Sequence, residues 1–309
     1  MHKCPITYEL SEERYSKKGL ALLSRSLKNL RDFPLSAEMQ LERAEELTTK
    51  LSIQGVQPKL SIKLQPAKEI FEVVERGGTY ILKPPHEDFE ELPQNEDLTM
   101  KLAALVGLEV PVHGLIYNID GTLSYFIKRF DRISRRSKLA VEDFSQVMGF
   151  TRDVKYESSM EKVIKAVEEF CTFPVIEKQK LFRLVLFNFL VGNEDMHLKN
   201  YSLITRDGTV TLSPCYDLLN SSIVLRKIVD EIALPIRGRK SNLNYSDIVE
   251  YFALVRLSLT SKVVEDELHI FQDVLPKWYA LVAKSFLSLQ MQKKHQELIS
   301  QRWQRIQKP

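Results

Sequence analysis

Apolar and polar positions fall in two rhythms along this chain, and the change from one to the other is the first sign of its organisation. From residue 36, "SAEMQLERAEELTTKL" carries helical spacing, with Ser36 as N-cap and Gln40 and Glu42 in the first turns. The period then shortens to two. "LSIQGVQPKLSIKL" predicts two strands about a Gly-containing turn, and "IFEVVERGGTYILKP" predicts a second hairpin, with a Gly-Gly turn and Pro84-Pro85 as its stop. "NEDLTMKLAALVGL" returns to helical spacing, with Leu98, Leu102 and Leu105 on one face and Gly107 as C-cap. "VHGLIYNIDGTLSYFIKRF" predicts a further hairpin turning at Asp120-Gly121.

Beyond "RFDRIS" helical patterns dominate. "KQKLFRLVLFNFLVGN" is apolar on most faces and predicts a central core helix. "YSLITRDGTVTLSPCYDLL" interrupts with a short hairpin at Asp207-Gly208, and helices resume from about residue 245. There are no internal repeats or low-complexity segments. The expected fold class is therefore α+β, with a strand-rich unit over residues 1–130, a helical unit over 131–309, and a cleft between two lobes.

Composition narrows this picture only a little. The 309 residues are 44% hydrophobic and 28% charged with a net charge of +3, an ordinary globular profile that argues neither for nor against a nucleic-acid partner. Cys4, Cys171 and Cys215 form no CxxC pair and no zinc-like cluster, which points to a reducing compartment without a disulfide framework. The N-terminus lacks a signal-peptide layout. The most apolar run, 181–191, is broken by Arg183 and Asn188 and is too short to span a bilayer. A cytoplasmic protein without membrane contact is expected.

The polar cluster "GNEDMHLKN", directly after the core helix, carries the candidate chemistry. Asp195 is followed five residues later by Asn200, and Asp217 comes after the intervening hairpin. Phosphoryl transfer of the protein-kinase kind uses that order: an aspartate to orient and deprotonate the attacking hydroxyl, then an asparagine and a second aspartate to hold Mg²⁺ against the phosphates. Asn and Asp oxygens suit a hard cation. The same spacing arises often by chance, so other features have to agree with it. Lys83 lies on a predicted strand, a Gly-turn with Lys59 precedes it, and Glu96 or Asp97 on the next helix can pair with it. Each has a bland alternative: an edge-strand lysine, a plain hairpin, N-terminal helix acids.

Together "SIQGVQPK", "YILK", "NEDLTMKLA", "YFIKRFDR", "EDFSQVMG", "NEDMHLKN" and "SPCYDLL" resemble the HipA family of bacterial serine/threonine kinase toxins, in unbroken order over roughly residues 50–225. The resemblance implies a bilobal protein-kinase-like fold using ATP and Mg²⁺. Asp195 would be catalytic, and Asn200 and Asp217 the metal ligands. Lys83 would contact phosphates beneath the loop Gln54, Gly55, Val56, Gln57, Pro58 and Lys59. Backbone groups of Lys128, Arg129 and Phe130 would meet the adenine edge, with His197, Lys199 and Tyr216 close to the nucleotide. Ser52 takes the place of the family's autophosphorylated serine, although Gln54 stands where some relatives have a second serine. The Gly-rich loop begins near residue 52, without the sizeable subdomain that precedes it in HipA. That makes the chain similar to the shorter HipT type, whose missing piece is a separate small protein, HipS, in a complex with the DNA-binding HipB. The implied substrate is an aminoacyl-tRNA synthetase. A small-molecule or lipid kinase and a pseudokinase scaffold in a repressor complex are the alternative readings.

Overall fold

The computed structural model describes residues 1–49, 58–86, 88–133, 137–149, 156–224 and 230–308. The described chain divides into two compact units. The first comprises Met1–Leu98, Pro111–Lys138 and Lys284–Leu287, and the second comprises Thr99–Val110, Leu139–Ala283 and Ser288–Pro309.

In the first unit, β1 (His2–Lys3) pairs with β2 (Leu10–Ser11), and the helices α1 (Lys17–Leu23) and α2 (Ala37–Thr49) follow. The Ser36 hydroxyl accepts from the amide of Met39 at 3.2 Å, so this serine caps α2 as its position in the sequence suggests. Three strands come next: β3 (Leu60–Gln65), β4 (Ile70–Val73) and β5 (Tyr80–Lys83). The helix α3 (Leu92–Leu105) leads to the hairpin β6 (His113–Tyr117) and β7 (Leu123–Lys128). The sheet is antiparallel throughout, in the order β4-β3-β5-β7-β6. Along β3, Leu60, Ile62 and Leu64 are buried while Ser61, Lys63 and Gln65 are partly exposed, the alternation of a strand with one face on a core. Phe71, Tyr80 and Phe126 pack ring against ring on that face, and Cys4, Ile6, Leu20 and Phe33 from the N-terminal segment close the same core.

The strand order corrects one expectation. β4 and β5 are not hairpin partners: each pairs with an opposite edge of β3. The Gly77-Gly78 segment instead crosses the end of β3, with Val74 N–H bonded to Ser61 C=O (2.9 Å) and Thr79 N–H to Ile62 C=O (3.1 Å). A Cβ on Gly78 would lie 2.0 Å from Ser61 Oγ, so the glycine serves close backbone approach here rather than a tight turn. The hairpin in this region is β3-β4, closed through Pro66–Glu69 with Glu69 in the left-handed region (φ 60°). The strand expected from "LSIQGVQP" lies largely outside the described residues. Leu98 and Leu102 are buried as expected, but Leu105, in the last turn of α3, is 41% exposed.

The second unit contains β8 (Ala140–Asp143), α4 (Phe144–Val147), α5 (Met160–Phe170), α6 (Pro174–Val191), the hairpin β9 (Ser202–Arg206) and β10 (Thr209–Leu212), a π-helical segment Ser246–Arg256, α7 (Ser261–Lys284) and α8 (Leu289–Ile306). β8 joins the predicted hairpin as a third strand, beside β9. From Leu181 to Val191, α6 is buried at every position except Arg183. The Arg183 guanidinium forms a double hydrogen bond, both contacts 2.7 Å, with buried Glu267 of α7. Trp278 of α7 stands edge-on to Phe187 and donates its indole N–H to Leu102 C=O at 3.0 Å. Among the described residues no helix is long and apolar enough to cross a membrane.

Two buried ionisable features yield predictions. Lys83, at the end of β5, places its ammonium 2.6 Å from Glu96 of α3, with both side chains almost completely buried. Removing one partner leaves the other charge buried without its 2.6 Å counter-ion. Lys83→Met and Glu96→Leu are each expected to lower stability by about 3–5 kcal/mol, and the double variant to recover much of that loss, read from urea midpoints. Additive losses in the double variant would contradict the pairing. His295 of α8 is fully buried, and burial depresses its pKa from the ordinary 6.5 to about 4. Between those values the unfolded chain binds the proton that the folded protein refuses. Stability is therefore intact above pH 6.5 and falls toward pH 4, by up to about 3 kcal/mol for this group alone. In His295→Leu, the acid slope of the unfolding midpoint between pH 6.5 and 4 should be shallower.

Candidate functional site

The residues expected at the site fall in both units, and each group is described within its own unit. In the first, of the two acids that could face Lys83, Glu96 takes the ion pair. The neighbouring Asp97 turns to a different pair of partners, the Tyr8 hydroxyl (2.7 Å) and His113 Nδ1 (2.8 Å). Adjacent residues on a helix point about 100° apart, so only one can serve the strand. The Lys83 ammonium also lies 5.8 Å from the Tyr125 ring centroid.

At the end of β7, Lys128 N–H donates to Val112 C=O (2.7 Å) and Arg129 N–H to Thr79 C=O (2.9 Å). Those two amides are engaged within the unit, so the part of the adenine-edge expectation that would use them does not fit. The Arg129 side chain is turned onto Asp131 in a two-pronged bond at 2.9 and 2.8 Å. Pro58 is partly exposed and Lys59 exposed. Ser52, Gln54, Gly55, Val56 and Gln57 lie outside the described residues.

In the second unit the polar loop begins where α6 stops. Gly192 ends the helix in the left-handed region (φ 80°, ψ 36°). A Cβ there would meet Leu298 at 2.4 Å and Asn220 Oδ1 at 2.7 Å, so both dihedral and space require glycine. The loop satisfies its buried groups largely from its own surroundings. Asn188, inside α6, donates to Leu184 C=O (2.9 Å) and accepts from Asn193 Nδ2 (2.9 Å), while Asn193 Oδ1 accepts from Asp195 N–H (3.3 Å). Glu194 N–H donates to Ser221 Oγ (2.7 Å), and its carboxylate accepts from Ser222 with Arg302 Nη2 3.8 Å away. Burial holds the Glu194 pKa above the usual carboxylate range despite those donors. The buried Arg302 of α8 also donates to Phe189 C=O at 2.5 Å, which braces the last turn of α6.

Asp195 is then folded over. Its carbonyl accepts from His197 N–H (2.8 Å) and from Asn200 Nδ2 (2.9 Å), and Leu198–Asn200 form a single 3₁₀ turn. With Nδ2 committed, Oδ1 is the Asn200 atom that can ligate a cation. The Tyr216 hydroxyl donates to Lys199 C=O (2.8 Å) and lies 2.5 Å from Ser202 Oγ, which fastens the segment after β10 to the turn that ends in Asn200. Asp217, next to Tyr216, adopts φ 53°, a left-handed conformation uncommon for a residue other than glycine and concentrated at functional sites. Burial raises the Tyr216 pKa, so at neutral pH its hydroxyl keeps its proton as a donor. Among the described residues no group of three or more His, Cys, Asp or Glu forms a metal site. An oxygen pair from Asn200 and Asp217 fits a cation that draws its remaining ligands from phosphate and water, as Mg²⁺ does.

Asn188, Asn193, Tyr156 and Arg302 were not singled out from the sequence, yet they hold or touch this loop. The available signals were Asn188 interrupting an apolar run and Arg302 interrupting an amphipathic helix.

Comparison with known proteins bears on the family and the fold of this chain. The family described as the HipA-like C-terminal domain matches residues 51–279. A protein of Haemophilus influenzae named as an inferred kinase is 28% identical over 221 residues, covering 67% of this chain and 64% of its own. The serine/threonine-protein kinase toxin HipA of Shewanella oneidensis is 29% identical over 216 residues, covering 60% and 49%. The chain thus spans about half to two thirds of the length of these curated relatives. Among solved structures, Shewanella oneidensis HipA, in a complex with HipB and operator DNA, superposes with a TM-score of 0.70 at 23% identity over 91% of this chain and 72% of that one. The Helicobacter pylori kinase CtkA superposes with 0.52 at 16% identity, covering 72% and 83%. The mixed α/β fold is therefore that of these kinases, and the chain belongs to the HipA-like C-terminal domain family.

Proposed function

We propose that this chain is an ATP-dependent serine/threonine protein kinase acting as the toxin of a bacterial toxin–antitoxin system, with the two units as the small and large lobes of a kinase-like fold. The observation that carries the reading is the turn in which Asn200 donates to Asp195 C=O while Tyr216 donates to Lys199 C=O. These bonds tie the segment that carries Asp217 to the turn that carries Asp195 and Asn200. In the reaction, the acceptor hydroxyl attacks the γ-phosphorus, the bond to the β-phosphate oxygen breaks, ADP leaves, and Asp195 takes the hydroxyl proton. Asn200 Oδ1 and the Asp217 carboxylate would hold Mg²⁺, which supplies charge neutralisation at the phosphate oxygens. Lys83, kept in place by Glu96, would face the same phosphates.

The finer assignments rest on the family. The target would be an aminoacyl-tRNA synthetase, and the partners a HipB-like DNA-binding protein and a HipS-like small antitoxin, as for the short HipT type. Shewanella oneidensis HipA itself was solved with HipB and operator DNA. Ser52 would be the site of autophosphorylation, adding about −1.5 to −2 charge beside a loop that covers ATP.

With [γ-³²P]ATP and Mg²⁺, label is expected on protein and not on a metabolite. Asp195→Asn and Asp217→Asn should reduce the transfer by about 100- to 1000-fold with the fold intact by circular dichroism. Near wild-type transfer by either variant would overturn the roles of these two aspartates. Ser52→Asp should bind nucleotide more weakly than Ser52→Ala; equal affinity and equal growth inhibition would remove the regulatory role of Ser52.

A further inference from the structure

One contact to Asp195 comes from outside its own loop. Tyr156, on the segment leading into α5, donates its hydroxyl to Asp195 Oδ1 from 39 positions away in sequence. Its ring stands edge-on to the His197 ring, with centroids 5.0 Å apart and planes at 82°. His197 in turn donates its amide to Asp195 C=O. The phenol is thus held against the loop at two points, by ring packing and by its hydroxyl, although Tyr156 is 41% exposed. Burial first, and then the adjacent Asp195 charge, push its pKa well above the ordinary value of 10. At neutral pH the phenol keeps its proton and donates to Asp195.

We propose that Tyr156 is a positioning residue for Asp195: by occupying Oδ1 it sets the carboxylate rotamer and leaves Oδ2 to accept the proton of the attacking hydroxyl. The inference rests on Asp195 being the proton acceptor. A carboxylate with one oxygen tied to a donor loses rotational freedom. That matters for a group that must be aimed before the phosphoryl group moves. The other titratable groups of the loop are His197, packed on the Tyr156 ring, Lys199 in the 3₁₀ turn, and Glu194, whose carboxylate is taken by Ser222 with Arg302 close by. In Tyr156→Phe the ring that packs on His197 is kept, so a difference from wild type reports the lost hydroxyl.

The test compares Tyr156→Phe and Tyr156→Ala with the wild-type chain in steady-state phosphorylation, with Asp195→Asn alongside. For Tyr156→Phe, kcat should fall about ten- to hundredfold, the range for a hydrogen bond to a charged group, while KM for ATP stays put. Tyr156→Ala should lose about as much as Tyr156→Phe. If Phe retains full activity and only Ala loses it, ring packing is all that Tyr156 provides and the proposal falls. It falls equally if Tyr156→Phe is faster than wild type, since the hydroxyl would then be competing for the acceptor's place. Active Asp195→Asn would instead refute the base assignment itself, so the two failures are told apart in one experiment.

Discussion

An apolar helix that ends in a polar loop has to resolve one conflict: the loop's amides and carboxylates leave water without losing their hydrogen bonds. In this protein the resolution starts at Gly192, where a left-handed residue with no room for a Cβ reverses the chain directly off α6. From there the loop is satisfied locally, Asn193 on Asn188, Glu194 on Ser221 and Ser222, and Asn200 on the Asp195 carbonyl. An unsatisfied buried group costs about 1–3 kcal/mol, so each of these bonds restricts the loop to one conformation. That restriction sets the direction in which Asp195 and Asn200 project.

The supports reach well beyond the loop. Arg302 of α8 braces the last turn of α6 and approaches Glu194, while Tyr216 fastens the segment carrying Asp217. Glu194 and Asp195 are adjacent carboxylates with different tasks. Glu194 is half-buried and committed to structure, whereas Asp195 receives the hydroxyl of the partly exposed Tyr156. The same division occurs in the other unit, where Glu96 serves Lys83 and Asp97 ties α3 to Tyr8 and His113. In both places a pair of neighbouring acids splits into one that holds the scaffold and one that faces the expected chemistry.

Local features of this fold were readable from residue patterns because they depend on nearby residues. The Ser36 cap, the hairpins at Asp120-Gly121 and Asp207-Gly208, and the core helix α6 all follow from period and turn chemistry. Strand neighbours were less legible: period two identifies which face of a strand is buried but not which strand lies beside it. Hence β3 sits between β4 and β5, and β8 joins β9, without a local signal. Of the candidate site, the loop was legible because Asp195, Asn200 and the later Asp217 follow one another in the expected order. The groups that hold it were not: Tyr156 acts from another element with no local signal, and Asn188 and Arg302 show only as polar breaks in helical patterns, which do not say what they support. The buried Lys83–Glu96 pair was legible only as a choice between two acids, which the rotation between neighbouring helix positions settles.

The central claim is that Lys83, Asp195, Asn200 and Asp217 serve a single nucleotide. A crystal structure with Mg²⁺ and a non-hydrolysable ATP analogue tests it most directly. The expected result is one cation bound by Asn200 Oδ1 and the Asp217 carboxylate, the Lys83 ammonium on a phosphate oxygen, and Asp195 beside the terminal phosphate. A nucleotide bound away from these four side chains, or a cation held by other ligands, would contradict it.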